Sequence, residues 1–84
     1  MSEDATITLD QLARGRSAII VRVDGDRALR RRLLDMGLVH GETITLTGLA
    51  PLGDPLELTV KGYRLSLRKS DARCIQVEPI NATA

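Results

Sequence analysis

The stretch Leu56-Glu57-Leu58-Thr59-Val60-Lys61-Gly62-Tyr63-Arg64-Leu65-Ser66-Leu67-Arg68 decides the architecture. On either side of Lys61-Gly62, apolar and polar residues alternate one by one. Such alternation marks a strand with one buried and one solvated face, because successive side chains of a strand point to opposite sides. Lys61-Gly62-Tyr63 is a tight connection, so the two runs predict an antiparallel hairpin. Thr43-Ile44-Thr45-Leu46-Thr47 and Cys74-Ile75-Gln76-Val77-Glu78 repeat the pattern. Ala18 to Val23 reads as one more strand, with Ile19, Val21 and Val23 expected on one face.

Only one segment carries the period of a full helix. In Arg27 to Met36, Leu29, Leu33 and Met36 fall at i, i+4 and i+7, and Leu34 is expected to widen that stripe. Asp24-Gly25-Asp26 ends the strand before it and supplies a cap, and Gly37 stands where a helix-ending residue belongs. Thr8 to Leu12 predicts a short helical turn, with Thr8 as cap and Leu9 and Leu12 inward. Ser70-Asp71-Ala72 reads as a single turn before the last strand. The expected fold is mainly β: a small SH3-like antiparallel barrel of about five strands, with one short helix between strands 1 and 2. Closure of this kind removes exposed edges. An OB-type barrel is the alternative. The domain is expected over 7–79, with flexible ends at 1–6 and 80–84.

Composition narrows the function. The chain has 84 residues, with one tyrosine and neither phenylalanine nor tryptophan, while 13 Leu, 6 Ile and 5 Val supply most of its apolar content. Aromatic platforms for unpaired bases and aromatic grooves for proline-rich peptides are therefore excluded. Net charge is +1, where a duplex binder usually carries a clear basic excess. A nucleic-acid partner is not expected. No stretch reaches the roughly 18 apolar residues of a membrane span, so direct membrane insertion is not expected either. The acidic, polar start Met1-Ser2-Glu3-Asp4 is unlike a signal peptide, and the lone Cys74 has no disulfide partner within the chain. The chain reads as cytoplasmic.

Catalytic signatures are missing. The sequence holds one histidine, His40, and neither a Walker phosphate loop nor a Gly-x-Gly-x-x-Gly run. An enzyme is not expected. Structural zinc wants four Cys or His ligands, and this chain offers His40 and Cys74. His40 with Glu42, flanking Gly41, can chelate an ion weakly or share one with a second molecule. His40, Glu42 and Cys74 are thus weak candidates for a divalent metal such as Fe2+ or Zn2+, and no cofactor is required. A metal-sensing or metal-carrying module is the alternative function, and a small-barrel nucleic-acid binder ranks after it.

Two features point to a protein partner. Arg27, Arg30, Arg31 and Arg32 crowd one helix; the ordinary reading is a solvated face answered by Asp24, Asp26 and Asp35. The same guanidinium face, through Arg30 and Arg31, is also a docking surface for an acidic partner. The segment Ala50-Pro51-Leu52-Gly53-Asp54-Pro55 is a stiff connection rather than a two-residue turn. Leu52 either folds back over the barrel mouth or projects as an apolar knob, preorganised for a partner. Pro51, Leu52, Gly53 and Asp54 are the candidate contact residues. Two copies pairing through an edge strand would give a homodimer.

Met36-Gly37-Leu38, then Gly41, then Ala50-Pro51-Leu52-Gly53-Asp54-Pro55, then Leu65-Ser66-Leu67-Arg68-Lys69 followed by Ala72, resemble the FeoA family in order and type. The resemblance runs from about Leu12 to Glu78. It implies an SH3-like domain in the bacterial cytoplasm, peripheral to the inner membrane. It further implies a part in ferrous iron uptake, beside a FeoB-type inner-membrane transporter with a GTP-binding domain.

Overall fold

The computed structural model describes residues 6–80. Six strands, Ile7–Thr8 (β1), Ser17–Val23 (β2), Thr43–Leu49 (β3), Leu56–Val60 (β4), Tyr63–Leu67 (β5) and Ile75–Pro79 (β6), form one sheet in the order β1-β6-β2-β3-β4-β5. Every pairing is antiparallel. The helices are Arg27–Asp35 (α1) and Lys69–Ala72 (α2), and a 3-10 turn spans Leu9–Gln11. Apart from Thr6 and Ile80, the ends expected to be flexible lie outside the described residues. Ile80 is tied to β2, its N–H donating to the Ser17 carbonyl at 2.9 Å.

The hairpin of β4 and β5 forms as its alternation predicts. Val60 faces Tyr63 across the turn, and Lys61 and Gly62 take φ of 53° and 85°. That pair of left-handed residues matches the right-handed twist of the flanking strands. Leu56, Leu58, Val60 and Leu67 are buried and Leu65 packs against them. From β3 come Ile44 and Leu46, and from β6 Ile75 and Val77. Among the described residues the core holds no polar side chain. It is built almost wholly from leucine, isoleucine and valine, as the composition requires.

Three expectations are corrected. In β2 the inward residues are Ala18 and Ile20, both fully buried, while Ile19 is 37% exposed. A register shift between Ile20 and Arg22 against β6 inserts one extra residue. Because strand faces alternate, that bulge reverses the phase and lets Val23 reach the core. In α1, Leu33 is fully buried and Leu29 and Met36 pack beside it, but Leu34 is 44% exposed and does not widen the stripe. Thr8 makes no backbone cap; its hydroxyl donates to Asp10 Oδ1 at 2.5 Å, and with Ile7 it forms β1, a sixth strand. The inward placement of Leu9 and Leu12 holds.

Both ends of α1 are closed as read. The Asp26 carboxylate accepts from the Leu29 N–H at 2.8 Å. At the other end the Leu38 N–H reaches the Leu33 carbonyl at 3.1 Å and the Gly37 N–H the Leu34 carbonyl at 2.9 Å. This is a Schellman closure, with buried Leu33 and Leu38 supplying its apolar contact. Gly37 carries φ of +94°, and a Cβ there would stand 2.7 Å from the Tyr63 hydroxyl. That hydroxyl donates to the Met36 carbonyl and fastens β5 to the end of the helix. The sheet curls over one core but does not close, leaving β1 and β5 as its edges.

Candidate functional site

The connection between β3 and β4 is held at its base and bare at its tip. The Ala50 N–H donates to the Pro55 carbonyl at 3.1 Å, and the Gly53 N–H to the Ala50 carbonyl at 2.7 Å. The Asp54–Pro55 peptide is cis. Asp54 Oδ1 accepts from the Lys69 N–H at 2.9 Å, serving the start of α2, whose own capping residue Arg68 offers no side-chain acceptor. Asp54 therefore binds the loop to the domain. Leu52 projects, 94% exposed, with exposed Pro51 beside it.

On α1, Arg27, Arg30, Arg31 and Arg32 are all exposed. Of the aspartates expected to answer them, Asp24 and Asp26 are used elsewhere, and Asp35 makes no ion pair among the described residues. Asp24 accepts from Arg22 Nε at 2.8 Å and from Gln76 Nε2 at 2.8 Å, and Asp26 caps the helix. Arg32 pairs with Asp71 at 3.1 Å. Among the described residues, Arg27, Arg30 and Arg31 have no carboxylate partner. These three guanidinium groups form a concentration of exposed positive charge on one helix.

α2 joins the two features. Its first residue, Lys69, is held by Asp54 of the loop, and its third, Asp71, is held by Arg32 of α1. The four-residue helix thus braces both the apolar knob and the arginine helix. A cleft of about 380 Å³ opens beside it, lined by Arg32, Met36, Ser66, Leu67, Arg68 and Asp71.

The weak metal candidates are not gathered into one place. His40 is exposed in the turn after α1, and Glu42 next to it lies 3.8 Å from the Lys61 ammonium. Cys74 is a half-buried free thiol packed near Gly25, before the other end of α1. Among the described residues no three of His, Cys, Asp and Glu cluster as a metal ion would need. Arg64 and Ser66 on the solvated side of β5, and Arg68 just past its end, are also exposed. Among the described residues no helix is long and apolar enough to cross a membrane.

Residues 7–79 match the sequence model of the FeoA domain. The chain is 47% identical over 76 residues to a Porphyromonas gingivalis protein described as an Fe(2+) transport protein A/Fe(2+) transporter FeoB fusion protein. The match takes in 90% of this chain and 9% of that protein, so the chain spans less than a tenth of this relative. The solution structure of a FeoA-like protein from Clostridium acetobutylicum superposes with a TM-score of 0.88 at 35% identity, covering 98% of this chain and 95% of that one. A zinc-complexed FeoA of Stenotrophomonas maltophilia superposes with a TM-score of 0.76 at 33% identity, covering 86% and 89%. That protein is described as a procaryotic SH3 domain protein and put forward as a ferrous iron transport activating factor. The SH3-like expectation therefore holds, in a form with six strands and an open seam.

Proposed function

Because the chain belongs to the FeoA family, we propose that it is a non-enzymatic accessory of ferrous iron uptake, one that binds a FeoB-type inner-membrane transporter and modulates it. One observation carries this reading. In the Porphyromonas relative, a stretch 47% identical to this chain belongs to a fusion with an Fe(2+) transporter FeoB. Linking two modules raises their effective concentration for each other, which benefits a pair whose work depends on contact.

The docking surface in this proposal is the 50–55 loop together with the arginine helix. Leu52 is the anchor, presented by a loop already fixed through its own hydrogen bonds, so little conformational freedom is lost on binding. Pro51 and Gly53 shape the tip, and Asp54 secures it through α2. Arg30 and Arg31 steer an acidic partner surface, an effect that weakens with salt. The protein works in the cytoplasm, held near the inner membrane by its partner. Ferrous iron enters as the transporter's cargo; the scattered His40, Glu42 and Cys74 are not required to hold a metal.

Titrating the purified chain with the cytosolic portion of the FeoB-type transporter from the same bacterium tests the association. Saturable one-to-one binding that weakens with added salt is expected. No binding at millimolar concentration overturns the proposal.

A further inference from the structure

A second surface lies along β5. The strand pairs with β4 on one side and with no strand on the other. The two-residue turn makes Val60 and Tyr63 a hydrogen-bonded pair, so the backbone groups of Tyr63, Leu65 and Leu67 point to β4. Those of Arg64 and Ser66 point outward, and among the described residues no backbone group bonds to them. Exposed edges are ordinarily blunted by proline, by a bulge, by shortness or by charged side chains, and of these β5 carries only the charge, at Arg64. β1, the opposite edge, has two residues; β5 has five, contains no proline and keeps an unbroken register.

The side chains beside this edge fall into two rows. Arg64 and Ser66 lie on one face of β5 and Arg68 follows just past its end, all three exposed. On the other face are Tyr63, Leu65 and Leu67, with Leu65 half-buried against the core. Two hollows border the strand and meet at Ser66. One, of about 320 Å³, is lined by Glu57, Arg64, Leu65 and Ser66. The other is the cleft of about 380 Å³ that reaches Arg32 and Met36.

We propose that the β5 edge accepts an extended segment of a partner protein in which acidic and apolar residues alternate, adding it to the sheet as a further strand. The outward N–H and C=O groups of Arg64 and Ser66 supply main-chain hydrogen bonds. In an added strand, alternate side chains stand beside the two rows of β5. Acidic residues then meet Arg64 and Arg68, and apolar ones lie along Leu65 toward Met36. Antiparallel self-pairing about Ser66 sets Arg64 opposite Arg68 of the other copy, like charge against like, whereas pairing about Leu65 sets Arg64 opposite Ser66, so the oligomeric state of the chain is read alongside the titration. The site requires neither the 50–55 loop nor any particular transporter.

The probe is a capped synthetic peptide of alternating glutamate and valine, titrated into the full chain and followed by backbone amide NMR. Saturable binding tighter than about 1 mM is expected, with the largest shifts at Arg64 and Ser66. Methylating the peptide nitrogens that face the edge leaves the protein untouched and is expected to weaken binding roughly tenfold or more. Ser66→Pro removes an outward N–H without breaking the ladder to β4, and has the same expected effect. Equal affinity for the methylated peptide, shifts centred away from β5, or self-association through β5 that excludes the peptide would each overturn the proposal.

Discussion

Leu33→Ala is expected to lower unfolding stability by about 2–5 kcal/mol, measured as a shift in urea midpoint at constant slope. Leu33 is fully buried in the core, and truncation removes apolar contact and leaves a cavity that relaxation fills only in part. Domains of this size are stable by roughly 0.05–0.15 kcal/mol per residue, so the loss takes a large share of the total. The neighbouring Leu34→Ala is the control. Leu34 is 44% exposed, and its truncation is expected to cost about 0.5 kcal/mol or less. Equal losses at the two positions would mean that α1 presents a different face to the core.

Leu52→Asp is expected to separate binding from stability. A side chain 94% exposed contributes almost nothing to the folded domain, so the unfolding curve is expected to stay within about 0.5 kcal/mol of the parent. If Leu52 seats in the transporter, the variant forfeits the roughly 1.5–3 kcal/mol gained by burying a leucine. A carboxylate left in the same apolar pocket adds a desolvation penalty. Affinity for the transporter's cytosolic portion is then expected to fall by at least about tenfold. Unchanged affinity would remove the loop from the docking surface while leaving the association itself standing.

Period and punctuation made much of this molecule legible before its structure. The hairpin, strands at 43–47 and 74–78, both closures of α1 and a turn at 70–72 follow from alternation, an aspartate cap and glycine at a helix end, and the structure extends or shifts these bounds by one or two residues. The face of β2 did not, because the phase of a strand depends on its partner. The extra residue opposite β6 is visible only when the two strands are paired. β1 was hidden for a related reason: two residues carry no period, and Ile7–Thr8 is a strand because Val77 and Gln76 offer it an edge. Leu34 lies beside the i, i+4, i+7 stripe of a nine-residue helix, whose one fully buried residue is Leu33.

The candidate site divides along the same line. The stiff loop and the arginine run are local features; of the two placements the sequence leaves open for Leu52, the structure shows the projecting one. The roles of Asp24 and Asp54 depend on distant partners, whereas Asp26 caps α1 through a residue only three places along the chain. Proximity in sequence counted Asp24 and Asp26 against the α1 arginines, whereas folding turns them to Gln76 with Arg22 and to the helix N-terminus. Asp54 reaches fifteen residues along the chain to cap α2. An exposed edge at β5 is likewise a property of sheet order, which no single segment encodes.

The measurement that bears most directly on the proposed function is GTP hydrolysis and ferrous iron uptake by the FeoB-type transporter in liposomes, with and without this protein. Both the wild-type chain and Leu52→Asp are added at equal concentration. The proposal predicts that the wild-type chain changes at least one of the two rates and that Leu52→Asp changes it far less. Identical rates with and without the wild-type chain, under conditions where the transporter itself is active, would contradict it.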